Sequence, residues 1–322
     1  MYALLDGAAG LGSTRYASAL NDLSPGVLAA PAALKTRAMT SFADTLMRCP
    51  EQTGLGLRSD PQQCTWGRII GNTSRVDGSG GNPGFKSDSV AYQIGWQRSL
   101  APAWTLGVVG AYEHQSIRAD QQRQHLKGDT GYLGAVTGSY GKFDNTRDVA
   151  VLGLQGSSSS RVASIGQRLR VDYTQALSNA YIKPFVNLDV VYTRMPSFSE
   201  TGAGAADLYI ESNQQWSAIL TPGLEIGGRF ELNSGYVVQP YASIGVALAS
   251  TDQWNTRARF ALAPSGTDMF DSELNTGRVS GQLSAGVQVS SKNGLDLRLQ
   301  YDGQLSSQTR SHAGSLQASW RF

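Results

Sequence analysis

Few residues in this chain of 322 are of types that do chemistry, and their spacing supports little of it. The 3 histidines are His114, His125 and His312, and no pair has the spacing of metal ligands on a helix. His114 and His125 fall near the rim of one hairpin and read as solvated loop side chains. The run Gly156-Ser157-Ser158-Ser159-Ser160 looks like a strand end, and no Gly-x-Ser-x-Gly turn presents a nucleophile. No phosphate-binding loop or basic-aromatic patch is found, and a net charge of +2 is too small to argue for nucleic acid. No catalytic group, cofactor site or metal site is therefore expected. Cys49 and Cys64 flank the polar stretch from Pro50 to Gln63. A short closed loop of this kind suits a disulfide formed in an oxidising compartment; the alternative is two free buried thiols.

The elements that must position these groups are mostly strands. Leu316-Gln317-Ala318-Ser319-Trp320-Arg321-Phe322 alternates apolar and polar residues and stops on an aromatic. Period-two alternation means a strand with one apolar and one polar face. An aromatic ending on such a strand is usual for bacterial outer-membrane barrels, and Leu316, Trp320 and Phe322 on one face are the expected assembly signal. Leu295 to Asp302 and Val279 to Val289 alternate in the same way, as do Val90 to Gln97 and Trp216 to Arg229. Lys292-Asn293-Gly294 and Asn233-Ser234-Gly235 read as tight hairpin turns. Longer Gly-, Ser- and Asp-rich stretches alternate with them, at 78–84, 118–128, 197–207 and 255–276.

Twelve strands are expected, near 65–77, 87–99, 103–118, 128–141, 146–160, 166–178, 180–195, 213–231, 236–252, 275–291, 294–307 and 309–322. Short turns at one end and long loops at the other are the asymmetry of outer-membrane barrels. Trp66, Trp96, Trp104, Tyr112, Tyr140, Tyr192 and Trp320 near strand ends suit interfacial girdles. The acids Asp189, Glu225, Asp296 and Asp302 fall on the polar, inward face. They could form a site, but pairing with Lys183, Arg229, Arg278 and Arg298 across a polar lumen is the expected role.

Composition agrees. Charged residues are 16%, against the usual quarter, and the chain holds 37 glycines. No apolar run approaches the length of a transmembrane helix, which leaves closed barrels open as a way to span lipid. The opening residues Met1 to Gly7 lack the basic start and apolar stretch of a signal peptide, so further chain upstream is expected.

Residues 1–64 differ in character. Ser24-Pro25 reads as a helix start and Pro31 as the end of that short piece. Residues 34–48 carry Leu34, Ala38, Phe42 and Leu46 at four-residue intervals, with Lys35, Arg37, Ser41, Asp44 and Arg48 elsewhere around the helix. This is an amphipathic helix that ends by Pro50.

A helix, a cysteine-flanked loop at 49–64, then Cys64-Thr65-Trp66-Gly67-Arg68-Ile69-Ile70-Gly71, then a barrel ending in Trp320-Arg321-Phe322: this order resembles the translocator domain of monomeric autotransporters, the type V secretion family. Tyr16 to Pro25 looks like the stretch before the linker helix in one branch of it. The resemblance covers nearly the whole chain. It implies an all-β transmembrane fold, a 12-stranded antiparallel barrel over 65–322 with the helix threaded through its pore, and residues 1–64 as passenger remnant and linker. Arg37, Ser41, Asp44 and Arg48 would then meet charged wall residues; the alternative is a helix packed beneath or beside the barrel. The implied function is non-enzymatic export of an N-terminal passenger to the cell surface. The implied partners are outer-membrane lipids, the barrel-assembly machinery, periplasmic chaperones and the passenger, with a single copy as the working unit. The competing readings are a porin or solute channel and, further off, an outer-membrane protease or lipase; the helix before the first strand favours export. Some members cut their passenger at an Asn-Asn pair. This chain has none, and self-cleavage is not expected.

Overall fold

The computed structural model describes residues 13–44, 63–78, 83–101, 104–120, 123–134, 137–232, 235–264 and 266–322. Counted along the chain, the strands are β1 (Gln63–Val76), β2 (Phe85–Ala101), β3 (Trp104–Ala119), β4 (Gln124–Gly134), β5 (Thr137–Val149), β6 (Leu154–Asp172), β7 (Gln175–Ala176), β8 (Ala180–Met195), β9 (Phe198–Ser199), β10 (Leu208–Ile210), β11 (Asn213–Gly228), β12 (Phe230–Glu231), β13 (Val237–Ala249), β14 (Gln253–Phe260), β15 (Phe270–Asn275), β16 (Val279–Ser290), β17 (Leu295–Ser306) and β18 (Thr309–Arg321). Twelve of them, all but β7, β9, β10, β12, β14 and β15, form one antiparallel barrel. β18 closes it against β1, from Cys64 opposite Arg321 to Val76 opposite Thr309. Closure leaves no unpaired edge, which lipid cannot satisfy. The described helices include none long and apolar enough to cross a membrane.

The pleat sorts the side chains. Ile94, Leu133, Ile165, Leu169, Val171, Ile244, Leu299 and Leu316 point outward and stay uncovered by the chain, as a lipid-facing band requires. Toward the end bearing the long loops the pattern inverts. There Val76, Phe85, Ile117, Leu126, Phe143, Val162 and Met195 point inward and pack as one cluster. The barrel walls leave the hydrocarbon at this level, so polar surroundings meet their outside and the apolar residues turn in.

The twelve-strand count holds, but three strand bounds differ from expectation. The expected strand 128–141 crosses the hairpin between β4 and β5. The expected strands 146–160 and 166–178 divide differently, because the turn lies at 150–153 and β6 runs unbroken to Asp172. That turn is made by Ala150–Leu152 and by Gly153 at φ +63. Of these residues Leu152 packs with Leu23, Val149, Ala203 and Ala206, and no polar turn signal marks the stretch.

The two long loops are also more than loops. β9, β10, β14 and β15 pair into a separate four-stranded sheet over the barrel mouth. Leu208, Ile210, Trp254, Ala258 and Leu274 of this lid complete the inward apolar cluster.

Two helices precede β1: α1 (Ser13–Asp22) and α2 (Ala30–Ala43). Pro31 starts α2 where the sequence reading had it end a helix; proline lacks an N–H that the first turn leaves unbonded in any case. Ser24 is not a helix cap. Its hydroxyl donates to the Asn21 carbonyl at 2.9 Å, inside a turn that links the two helices.

The occupied lumen as candidate functional site

α2 enters at the mouth and runs down the lumen. It is not central. It packs on β5, β6 and β8, and opposite it a polar chamber of about 250 Å³ borders β1, β11, β16 and β17. At 14 residues, with a rise of about 1.5 Å each, the helix spans roughly 21 Å.

The apolar stripe at Leu34, Ala38 and Phe42 finds apolar company inside a largely polar bore. Met39 and Phe42 are buried with Trp66, Val109, Tyr132 and Val191, and Phe42 stacks on Tyr132 with ring centroids 5.1 Å apart. Trp66 therefore belongs to the lumen and not to the girdle where the sequence reading put it. It is 2% exposed, because even-numbered residues of β1 face inward. Gly95 makes its room, since a Cβ there would lie 2.4 Å from the indole.

Polar contacts fix the helix along its length. The Val27 N–H donates to Gln124 Oε1 at 2.8 Å. Lys35 is buried and donates to Thr130 Oγ1 at 3.2 Å and Tyr132 Oη at 3.4 Å; Tyr132 in turn donates to Glu113 at 2.5 Å. Arg37 donates to the Thr276 carbonyl of the mouth at 2.5 Å. Ser41 is exposed toward the chamber. Asp44 meets Arg168, whose Nε and Nη2 also hold Asp189 at 2.6 and 2.8 Å. Cys49 and Arg48 lie outside the described residues, and Cys64 is buried at the foot of β1.

The expected wall pairs are partly re-matched. Lys183 and Glu225 do pair, at 3.4 Å. Asp189 goes to Arg168, Asp296 to Arg321 at 2.8 Å, and Asp302 to Arg68 at 3.7 Å. Arg298 donates to Gln288 Oε1 at 2.6 Å and stacks over Tyr241. Arg229 leaves the wall: it follows the end of β11 and pairs with Glu231 at 2.8 Å in the short-turn hairpin. Arg278 borders the chamber at its rim, and its guanidinium donates to the Ser250 carbonyl at 2.9 Å. Both precede or follow a strand by one residue, where alternation no longer fixes direction. Outward, Leu316, Trp320 and Phe322 share one uncovered face of the seam strand and its end.

Sequence reasoning missed a clasp at the mouth. Arg147 Nε donates to Glu200 Oε1 at 3.0 Å and Oε2 at 3.1 Å, and Nη2 also reaches Oε2. Its remaining donors hold the Asp22 carbonyl, at the end of α1, and the Ala206 carbonyl at 2.8 Å. The pair is dry: the side chains are 0% and 1% exposed. Arg147 thereby ties linker, wall and lid together. An inward Arg at the end of β5 was the available signal, but only with β5 correctly bounded.

Among known proteins, the family described as Autotransporter beta-domain matches residues 65–302. Two extracellular serine proteases of Serratia marcescens are 24% and 23% identical over 281 and 285 residues, covering 80% of this chain but 26% of their own length. The chain thus spans about a quarter of the curated relatives it matches. Three solved folds are similar. The translocator domain of NalP from Neisseria meningitidis has TM-score 0.62 and 16% identity, with 92% of this chain and 97% of that one covered. The β-domain of the Bordetella autotransporter BrkA gives 0.54 and 17%, with 81% and 100% covered. The transport unit of AIDA-I from Escherichia coli gives 0.51 and 14%, with 90% and 98% covered. A closed twelve-stranded barrel that holds a helix of its own chain, matched by the family over most of its length, is an outer-membrane translocator: the chain belongs to the autotransporter family, as its β-domain.

Proposed function

We propose that the described arrangement is the sealed state that follows export, with residues 1–64 as passenger remnant and linker and the barrel from residue 65 as anchor. One observation carries this. The linker's α1 end lies at the long-loop mouth, while Gln63 lies at the short-turn foot. Long loops face the cell exterior and short turns the periplasm in such barrels. The linker's amino-terminal end is therefore on the outer side, which is where an exported passenger belongs. Arg37, Ser41 and Asp44 then serve as seat contacts for the plug, and the barrel itself acts as conduit and anchor without a catalytic role.

Labelling tests the direction. Leu20 is 45% exposed. A Leu20→Cys variant should react with a membrane-impermeant maleimide on intact cells. Labelling only after permeabilisation would contradict the reading. The disulfide has a separate test: denatured, the unsubstituted chain should take no maleimide until reduced, because Cys49 and Cys64 are proposed to pair.

Assembly is proposed to involve the barrel-assembly machinery, after escort by periplasmic chaperones. The support is the uncovered aromatic face of the seam strand, with Trp320 at 52% and Phe322 at 67%. Trp320→Ala with Phe322→Ala should reduce folded barrel in outer membranes severalfold, read from heat-modifiable mobility; an unchanged yield would remove this role.

A further inference from the structure

The reversal of polarity between the two faces of the wall has a second product. Each residue of the inward apolar ring has a cation beside it in sequence, pointing outward: Arg75 by Val76, Lys86 by Phe85, Arg118 by Ile117, Lys127 by Leu126, Lys142 by Phe143, Arg161 by Val162 and Arg194 by Met195. The walls thus carry one cation per strand over β1 to β6 and β8. The belt sits just above aromatic residues: Tyr140 is two residues below Lys142, and Tyr192, stacked 5.0 Å from Trp216, is two below Arg194. Aromatics mark the membrane interface, so the belt lies at headgroup level.

Partnering divides this belt. Around β1 and β2 the cations have carboxylates: Arg75 has Asp120 at 2.8 Å, and Lys86 has Asp88 at 3.2 Å. On β5, β6 and β8 they do not balance. Lys142 lies directly opposite Arg161, and Arg194, opposite Ala163, is the diagonal neighbour of Arg161. Like charges placed so destabilise a sheet. Lys142 has Asp144 only at 4.0 Å, whereas Asp129, opposite it on β4, is engaged by Tyr112 at 2.6 Å and His114 at 2.8 Å. Among the described residues neither Arg161 nor Arg194 has a carboxylate within 4.0 Å. The same field reaches His125, whose pKa is lowered by burial and then by Lys127 and Arg118.

We propose that Lys142, Arg161 and Arg194 form a binding site for the phosphate groups of a phosphorylated lipid in the outer leaflet. Arginine forks match phosphate oxygens, and three cations on neighbouring strands suit a headgroup bearing more than one phosphate. The lipid's anionic charge relieves the repulsion that the bare face would carry.

The test uses the whole chain reconstituted in phosphatidylcholine bilayers doped with a diphosphorylated glucosamine-disaccharide lipid, with lipid retained per barrel read by native mass spectrometry. The unsubstituted chain should retain the lipid and lose it on dephosphorylation. The K142Q/R161Q/R194Q variant should bind about a hundredfold more weakly, at roughly fivefold per cation. Lys86→Gln, whose cation already has a carboxylate, should bind nearly as before. If the triple variant misfolds, Arg161→Gln alone should show the fivefold loss. Equal retention of the dephosphorylated lipid, equal retention by the substituted chain, or displacement by inorganic phosphate at matched concentration would each overturn the proposal, the last by showing a small-ion site only.

Discussion

Glu200→Ala should lower the stability of the folded barrel by about 3–5 kcal/mol, because it strands the Arg147 guanidinium in a dry interior. The size follows from the asymmetry of buried ion pairs. Intact, such a pair roughly balances its own desolvation; with one partner removed, the other keeps the cost and loses the gain. Arg147 also holds the Asp22 carbonyl, so the loss should not be confined to the lid. The link between α1 and α2 should loosen and become open to protease, while β16 to β18, which lie away from the clasp, keep their pairing. Guanidinium unfolding in micelles reads the first effect, and limited proteolysis between residues 13 and 34 the second. A double substitution, Arg147→Met with Glu200→Leu, should recover much of the lost stability, since apolar side chains of similar volume often replace buried pairs without penalty. If Glu200→Ala unfolds like the unsubstituted chain, the clasp is not what secures the mouth.

Much of the barrel was legible because lipid imposes a simple rule. Where strands cross it, alternation is strict, and β16, β17 and β18 lie close to their expected bounds with the Lys292-Asn293-Gly294 turn between two of them. Above the lipid the rule reverses. Phe143 inward beside Lys142 outward reads like any alternating pair, so period alone cannot say which face is wet. The apolar stretch Ala150-Val151-Leu152 hid the β5–β6 boundary: Leu152 packs toward the linker and lid, so the turn carries no polar signal. The lid strands are two to eight residues long and gain their stability from the cluster they cover, which no local pattern records. The helix was visible as an amphipathic stretch. Its seat was not, because Trp66, Val109, Tyr132 and Val191 come from β1, β3, β4 and β8, and no local pattern records which inward residues meet across the bore.

The second large effect concerns the bore itself. A helix with side chains is about 10–12 Å across, and a twelve-stranded barrel is wide enough to hold one and to conduct ions without it. Two layers close this lumen. Residues 27–30 are fully buried beneath the lid at the mouth, and α2 occupies the wall side below, with a chamber of about 250 Å³ beside it. Both layers belong to the same stretch of chain. Removing residues 13–44 should therefore open the barrel, whereas trimming the lid alone should leave α2 in place. The barrel should survive the deletion, since its strand pairing does not depend on the helix, although Lys35, Met39 and Phe42 leave apolar wall residues exposed to water.

Single-channel conductance in planar bilayers tests this most directly. The unsubstituted chain should stay closed or nearly so, and the chain lacking residues 13–44 should show steady openings about tenfold or more larger, as expected when a helix about 10 Å wide leaves the bore. Equal conductance from the two proteins, with both shown folded by heat-modifiable mobility, would contradict the account that this translocator is sealed by its own linker.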